Sequence, residues 1–216
     1  VESMTRVAMG SSLAGSGTPF TDKIMDAYNI VPQGMASDEI AHKWQISRSE
    51  VDEIGYRSHM KAAQAQDNGW MDKEVLPVEG LDEEGKPIIV SRDQGVRPNA
   101  SLDKMATLQP AFSSEGVTTA GNSSQITDGA AALVMMNREK ADELGVKPVA
   151  RLLSMVTVGS DPHLMLTGPI AATHKALARA GMTVDDIDLF EVNEAFASVI
   201  GMWKREIGAD MSKVNV

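Results

Sequence analysis

The pattern of apolar and polar residues changes character near residue 120. Before that point, short apolar runs alternate with polar and glycine-containing stretches. The first clear helical face has Ile40 and Trp44 four residues apart, which predicts a helix over Ala36–Trp44 with Ser37 as its candidate N-cap. The glycine-rich and serine-rich stretch before it, up to about Asn29, predicts a loop that contributes nothing to the core.

A second helix follows directly. Ser47 and Glu50 are three residues apart, the spacing of a capping box, so this helix is expected to start after Ser47. It should run to Asn68-Gly69, because glycine suits the residue after a helix end. The sequence therefore predicts two consecutive helices.

The next stretch predicts small elements. Two apolar runs, Val75–Val78 and Ile88–Val90, flank the charged segment Asp82–Lys86, which favours two short strands joined by an exposed turn. Leu102–Leu108 is typical of a further short helix. This part of the chain lacks the steady alternation of strands and helices that builds a large sheet, and it resembles an insertion.

After residue 120 the chain alternates apolar runs of strand length with helices that end at glycine. Such units are typical of α/β layers with right-handed crossovers. The predicted strands are Ala130–Met136, Val149–Val158 and Ile187–Val192, and the predicted helices are Arg138–Leu144, Ile170–Ala180 and Ala195–Ile207.

Composition narrows the possible functions. With 216 residues and 43% hydrophobic content, the chain can bury one large core or two small ones. The net charge is −10 and no run of Lys and Arg offers a track for phosphates, so we expect no nucleic-acid partner. No apolar run approaches the roughly 20 residues that span a bilayer, and Val1–Gly10 does not resemble a signal peptide. We therefore expect a cytoplasmic protein without a membrane partner.

The chain has no cysteine, which excludes disulfides, thiolate metal sites and a cysteine nucleophile within these residues. The four histidines form no HExxH motif, and Glu39 with His42 supplies only half of a paired Glu-x-x-His arrangement. We expect no metal site. The histidines are His42, His59, His163 and His174.

Two further functional classes are disfavoured by missing residues. Gly10–Gly17 has two glycines at the P-loop separation, but Ser16-Gly17 stands where Lys and Ser/Thr should be, which favours a mobile surface loop. A serine hydrolase needs Gly-x-Ser-x-Gly between a strand and a helix, and the chain has no such motif.

Two segments carry a functional signal. In Thr118–Ala132, small residues around Ser124 allow a ligand to approach the backbone closely. In Asp188–Ala197, a predicted strand places Asn193 and Glu194 at its carboxyl end, where α/β sheets usually bind ligands. The alternative is that Asn-Glu only caps the following helix, and spacing alone leaves both interpretations open.

Together these segments resemble two thiolase motifs, the loop TAGNAS-x-x-x-DGAAA and the NEAFA box. Further matches extend the resemblance over essentially the whole chain, and the chain is identified as a member of the thiolase (acetyl-CoA acyltransferase/acetyltransferase) family. Val31–Met35 further resembles actinobacterial degradative thiolases. The further matches are Val1–Arg6 with GG-x-ESMS, Arg97-Pro98 through Phe112 with the run ending in PAF, and Thr167-Gly168-Pro169 with the TGP turn.

The resemblance implies a partial thiolase-like α/β fold with αβαβα layers and an inserted loop domain that binds CoA. Residues 1–127 would be mostly this insertion, residues 128–148 the return to the N-terminal half, and residues 149–216 the start of the C-terminal half. This division agrees with the change of pattern near residue 120.

The resemblance also implies acyl transfer between a thioester and CoA, either thiolysis of a 3-ketoacyl-CoA or condensation of acetyl-CoA. The family's nucleophilic cysteine would precede Val1, and its second cysteine and GHP histidine would follow Val216. The chain begins and ends inside apparent secondary-structure elements. We therefore expect an internal fragment without turnover of its own, with acyl-CoA and CoA as ligands and no covalently bound cofactor.

Four site residues follow from the matched motifs, and three of them have a simpler alternative. Asn193 matches the asparagine that holds a water in an oxyanion hole. Ser124 matches a serine beside the pantetheine arm, or only bonds within its loop. Arg97 matches a cation near the nucleotide end of CoA, or is a solvated surface charge. Phe112 matches a wall of the acyl channel, or belongs to the core.

Two features leave substrate and role open. Lys104 stands where biosynthetic members commonly have a small residue, so the acyl-chain preference stays undetermined. The absence of cysteine also permits a non-catalytic CoA-binding or assembly module, whereas NEAFA argues against a ketoacyl synthase. For a full-length protein the family implies a homodimer or homotetramer.

Overall fold

The computed structural model describes residues 1–11, 15, 17 and 19–216. Its helices and strands are mostly short, and four of the described helices have 11 residues or more. Two further 3-10 turns lie at Met165–Thr167 and Met211–Lys213. The elements are α1 (Asp22–Ala27), α2 (Gln33–Lys43), α3 (Arg48–Asp67), β1 (Val78–Leu81), β2 (Pro87–Val90), α4 (Leu102–Ala106), α5 (Arg138–Leu144), α6 (Gly168–Ala180) and α7 (Ala197–Ile207).

Helix α7 is the centre of the molecule. Its residues are apolar or small around most of the circumference, which is typical of a helix packed on several sides. Met202 and Trp203 are almost completely buried, and helices α2, α3 and α6 pack against α7. The Trp203 indole also donates a hydrogen bond of 3.0 Å to Thr173 Oγ1 on α6. The buried core therefore surrounds the helix that follows the NEAFA box.

Helix α2 begins three residues earlier than predicted, at Gln33 after Pro32. The prediction that Ser37 is the N-cap is therefore wrong, because Ser37 lies inside the helix. Its hydroxyl is buried and lies 2.8 Å from Thr118 Oγ1 and 2.7 Å from Ser198 Oγ. The Ser37 hydroxyl therefore forms hydrogen bonds within a buried polar cluster between elements and does not cap a helix terminus.

Helix α3 confirms Ser47 as its N-cap, whereas the Glu50 carboxylate pairs with Arg205 instead of completing the capping box. Ser47 Oγ accepts a hydrogen bond of 3.2 Å from the Glu50 amide, and the helix ends at Asp67 before Asn68 and Gly69. Gly69 has φ +69°, a left-handed conformation that costs glycine little.

The predicted pair of strands is also present, displaced slightly along the chain. Strands β1 and β2 are antiparallel, with Val78 opposite Val90 and Leu81 opposite Pro87. In the turn, Asp82 Oδ1 accepts hydrogen bonds from the amides of Glu84 and Lys86 at 2.9 and 2.8 Å. This is the exposed turn that the charged sequence predicts.

The other predicted helices are present, with ends that differ by a few residues. Ser101 caps α4 and Asn137 caps α5 through side-chain bonds to the amides of Lys104 and Lys140. Three helices end at a glycine with positive φ, as the sequence predicts: α5 at Gly145, α6 at Gly181 and α7 at Gly208.

The prediction of three strands after residue 120 is wrong: within the described part of the chain, none of these segments is paired in a sheet. Ala130–Met136 and Val149–Val158 have no strand ladder, and Leu133 is 89% exposed. Ile187–Val192 contributes one parallel bridge, from Phe190 to Val214, and Leu189 is exposed. A strand needs a neighbouring backbone to accept and donate its hydrogen bonds, and the described residues do not supply one here.

The N-terminal stretch corrects another expectation. The predicted loop up to Asn29 contains helix α1, although none of its residues is buried. The glycine-rich stretch Gly10–Gly17 falls largely outside the described residues. Glu2 forms an antiparallel bridge with Gly129, which ties the start of the chain to the second half of the Thr118–Ala132 motif. Within the described ranges, no helix is long and apolar enough to cross a membrane.

Candidate functional site

The two motif segments lie side by side. Ser123 and Phe196 form an antiparallel bridge, and the Ser124 amide donates a hydrogen bond of 3.0 Å to the Ala195 carbonyl. On the other side of the bridge, the Ala197 amide donates to the Asn122 carbonyl at 2.9 Å. Segments about 70 residues apart in sequence are thereby fixed in one register by backbone bonds.

A cavity of about 380 Å³ opens beside this bridge. Ser124 and Asn193 both line it, so the structure brings two of the predicted site residues together. Helix α3 supplies another part of the wall through Gly55, Ser58 and His59. Such a cleft, with polar groups from several elements, is the usual form of a ligand site.

Asn193 does not cap helix α7. The N-cap position belongs to Phe196, which has extended backbone and makes no side-chain capping bond. Asn193 lies three residues upstream, exposed at the cavity wall. The capping interpretation of Asn-Glu is therefore wrong, and Asn193 is accessible to a ligand.

Glu194 is held in place from two sides. Its Oε2 accepts a hydrogen bond of 2.5 Å from Ser58 Oγ on α3, and its Oε1 accepts one of 3.0 Å from Asn215 Nδ2. The Asn215 side chain also exchanges hydrogen bonds of 2.7 and 2.8 Å with the backbone of Val192. These bonds fix the backbone immediately before Asn193.

The Ser124 side of the bridge rests on a buried polar network. Asn122 Nδ2 donates a hydrogen bond of 2.8 Å to Asp52 Oδ1, and Asp52 Oδ2 accepts one of 2.8 Å from Arg48 Nε. Asn122 and Asp52 are almost fully buried. The network connects α3 to the loop that carries Ser124.

His59 is a cavity residue that the sequence did not indicate. Its Nδ1 accepts a hydrogen bond of 3.2 Å from the Arg97 amide, which assigns the proton of the neutral ring to Nε2. Burial and the nearby charge of Arg97 lower the pKa of His59, while Glu194 and Asp93 act in the opposite direction. The ring is therefore a neutral donor at pH 7.

Arg97 lies at the edge of this site. It is exposed and does not line the cavity, but its backbone bond to His59 places it next to the wall. The cavity wall itself is acidic, because three carboxylates border it: Asp93, Glu191 and Glu194. This lining favours an uncharged polar ligand inside the cavity over a phosphate.

Phe112 does not belong to this group. Its ring makes an edge contact with Phe196, with centroids 6.1 Å apart, and it lies directly over Gly34. A Cβ added to Gly34 would come within 2.2 Å of the ring. Phe112 is partly exposed rather than part of the core, and it does not line the cavity.

Some of the missed residues left a signal in the sequence. Arg48 and Asp52 are four residues apart, the spacing of an ion pair on one helix face. His59 left no local signal, because its partner Arg97 lies 38 residues away. Among the described residues, no group of three His, Cys, Asp or Glu side chains could hold a metal ion.

Two protein-family models together match most of the chain. A model described as thiolase, N-terminal domain, matches residues 1–139, and one described as thiolase, C-terminal domain, matches residues 146–216. The chain belongs to the thiolase family. Thiolases are acyltransferases, and the two motifs that meet at the cavity lie in different family domains.

Several relatives agree with this membership. The chain is 41% identical to the 3-ketoacyl-CoA thiolase of Bacillus subtilis, over 100% of this chain and 56% of that protein. It is 43% identical to a probable acetyl-CoA acyltransferase of Staphylococcus epidermidis, over 90% of this chain and 50% of that protein. It is 42% identical to peroxisomal 3-ketoacyl-CoA thiolase A of Mus musculus, over 94% of this chain and 50% of that protein.

A solved structure confirms the partial thiolase-like α/β fold. The acetyl-CoA acetyltransferase of Bacillus anthracis superposes with a TM-score of 0.81 at 36% identity, covering 86% of this chain and 47% of that one. This thiolase chain therefore spans about half the length of the curated relatives it matches.

Proposed function

We propose that this chain provides the CoA-binding part and a portion of the oxyanion site of a thiolase that transfers acyl groups between a thioester and CoA. The observation that supports the proposal best is the bridge between Ser123 and Phe196. It unites the two family motifs at one cavity, with Ser124 and Asn193 in its wall.

The chemistry of the cavity supports one orientation of CoA. The pantetheine arm is uncharged and carries amide groups, which suit Ser124 and the neutral His59 as hydrogen-bonding partners. The phosphates of CoA would be repelled by Asp93, Glu191 and Glu194. We therefore place pantetheine inside the cavity and the nucleotide outside it, towards Arg97.

Asn193 would act on the reaction rather than on CoA affinity. In this proposal its amide holds a water that stabilises the enolate oxygen of a thioester, and removal of one such donor costs about 3 kcal/mol of transition-state stabilisation. The chain itself contains no cysteine. An acyl-cysteine intermediate therefore needs a cysteine from outside these 216 residues.

The division of the chain is part of the proposal. Residues 1–127 would form mostly the CoA-binding insertion, residues 128–148 the return to the N-terminal half, and residues 149–216 the start of the C-terminal half. Phe112 would line the acyl channel beyond the cavity. The cytoplasmic location remains an expectation from the sequence pattern, and the homodimer or homotetramer remains one from the family.

Calorimetric titration of the 216-residue chain with CoA tests the binding proposal. We expect saturable binding, and a loss of about fivefold in affinity for Ser124→Ala, the effect of one hydrogen bond. Ser49→Ala is the matched control, because Ser49 is exposed on α3 outside the cavity lining. If the unsubstituted chain shows no heat and no thermal shift with CoA, the binding proposal is wrong.

The absence of cysteine also supports a second candidate, a non-catalytic CoA-binding or assembly module. A chimera separates the two candidates. The flanking segments of the Bacillus subtilis 3-ketoacyl-CoA thiolase, 41% identical to this chain, would be fused to both ends. CoA-dependent cleavage of acetoacetyl-CoA that falls about a hundredfold or more in Asn193→Ala supports the acyltransferase. CoA binding without cleavage by a folded chimera supports the module.

A further inference from the structure

A buried carboxylate lies behind the cavity wall. Asp52 is 3% exposed and does not line the cavity, so it cannot touch a ligand there. A charge in such a place is costly unless it is paired and hydrogen-bonded. Both Asp52 oxygens have partners, Oδ2 with Arg48 Nε and Oδ1 with Asn122 Nδ2, each at 2.8 Å.

The Asn122 side-chain amide is held by hydrogen bonds through both its oxygen and its nitrogen. Its Oδ1 accepts a hydrogen bond of 2.8 Å from the Thr119 amide, and its Nδ2 donates to Val117 O at 3.0 Å as well as to Asp52. Its backbone carbonyl accepts the Ala197 amide. Asn122 is therefore the point where the bridge beside Ser124 is attached to α3.

Arg48 extends the network to a third element. Its Nη2 donates hydrogen bonds of 2.7 and 2.9 Å to the carbonyls of Met105 and Leu108, at and just beyond the end of α4. Cations satisfy the last carbonyls of a helix well. Asp52 consequently links the end of α4 to the cavity loop through charge-assisted bonds.

We propose that Asp52 is a positioning residue of the cavity. It holds Asn122, and through Asn122 it keeps Ser124 and the segment at Ala195 in the register that binds the pantetheine arm. The inference rests on the proposed function for its ligand. The network itself consists only of residues in this chain.

The test uses Asp52→Ala and the milder Asp52→Asn, with Glu50→Gln as the matched control. Glu50 is also on α3 and also pairs with an arginine, Arg205, at 2.7 and 2.8 Å. It takes no part in the bonds to Asn122. The ligands are pantetheine, which should enter the cavity, and adenosine 3′,5′-bisphosphate, which represents the other end of CoA.

We expect Asp52→Asn to weaken pantetheine binding at least about fivefold, with a larger loss in Asp52→Ala, and to leave adenosine bisphosphate binding unchanged. Glu50→Gln should change neither affinity. Equal losses for both ligands, or unchanged pantetheine binding in a folded Asp52 variant, would overturn the inference.

Hydrogen exchange of single amides provides a readout that needs no ligand. The amides of Ser124 and Ala197, which form the backbone bonds of the bridge, should exchange faster in both Asp52 variants than in Glu50→Gln. Unchanged exchange would reject the positioning role even if CoA does not bind. Lack of CoA binding with faster exchange would instead reject the proposed function alone.

Discussion

His163 and Glu39 are joined by a hydrogen bond of 2.5 Å between Nε2 and Oε2, while Nδ1 of the same ring lies 2.6 Å from the Asn29 carbonyl oxygen. Both neighbours accept hydrogen bonds, and a neutral imidazole has only one N–H to donate. The protonated ring satisfies both. His163 thus connects α2, the segment before it and the loop that precedes α6.

The first prediction concerns this contact. The Asn29 carbonyl, the Glu39 carboxylate and the charge of Asp161 raise the pKa of His163. A raised pKa in the folded state stabilises the protein below about pH 6.5, and this contribution is lost as pH rises through the folded-state pKa. Urea unfolding across about pH 5 to 9 should show this loss in the unsubstituted chain. His163→Gln should remove it, and an unchanged pH profile in that variant would refute the assignment.

His59 should show the opposite pH dependence. Its pKa is lowered by burial and then by Arg97, so the stability associated with it is present above about pH 6.5 and is lost as pH falls towards the folded-state pKa. NMR titration should find His59 titrating below His163, with its neutral ring protonated on Nε2. Arg97→Gln, which removes a nearby positive charge, should move the pKa of His59 upwards. If His163 loses its proton at a lower pH than His59, this prediction is wrong.

Gly55→Ala should disturb the cavity. A Cβ at Gly55 would lie 2.5 Å from the Gly121 carbonyl oxygen and 3.2 Å from Asn122 Cα, so the backbone of the Ser124 loop would have to move. Alanine normally favours a helix, yet we expect a loss of about 1–3 kcal/mol in unfolding free energy from overpacking. CoA affinity, measured by calorimetry, should fall as well.

The control for Gly55→Ala is Gly201→Ala in the buried helix α7. Its Cβ would lie 2.9 Å from the end of the Ile46 side chain, a milder clash with a side chain rather than with backbone, outside the cavity lining. It should reduce stability while CoA affinity stays the same. Equal losses of affinity in both variants would show that general destabilisation, rather than displacement of the loop, accounts for the effect.

Ser37→Ala should destabilise the protein by about 1–3 kcal/mol, because it leaves the buried hydroxyls of Thr118 and Ser198 with one partner fewer. A double-mutant cycle of Ser37→Ala and Ser198→Ala in urea unfolding should give a coupling energy of about 1 kcal/mol. If the effects of the two substitutions are additive, the two hydroxyls are not coupled and the prediction is wrong. Ser49→Ala, at an exposed position, should stay within about 0.5 kcal/mol of the unsubstituted chain.

Local signals in the sequence were sufficient wherever neighbouring residues determine the structure. The bond from the Glu50 amide to Ser47 and the glycine ends of three helices were predicted because capping involves residues a few positions apart. The prediction for Ser37 was wrong because it used only such neighbouring residues. It has a capping side chain near a helix start, but its partners lie 81 and 161 residues away.

The candidate site was predicted in part. Ser124 and Asn193 were identified because family motifs mark them, and they do line one cavity. His59 and Asp52 were not identified, because a histidine and an acidic residue on a polar helix give no sign of what faces them. Their partners, Arg97 and Asn122, lie 38 and 70 residues away in the chain.

Residues that lie close together in the chain specify the thiolase family, the helices with their caps and the two segments that carry chemistry, because propensity, capping and motif identity are local properties. The folded chain is needed to see that these segments meet through Ser123 and Phe196, that Asp52 is hydrogen-bonded to Asn122 beside the meeting point, and that the apolar run Ala130–Met136 has no strand partner among the described residues. The physical reason is the same in each case. Strand pairing, burial of a charge and the shape of a cavity depend on partners that are distant in sequence, and a local pattern does not specify them.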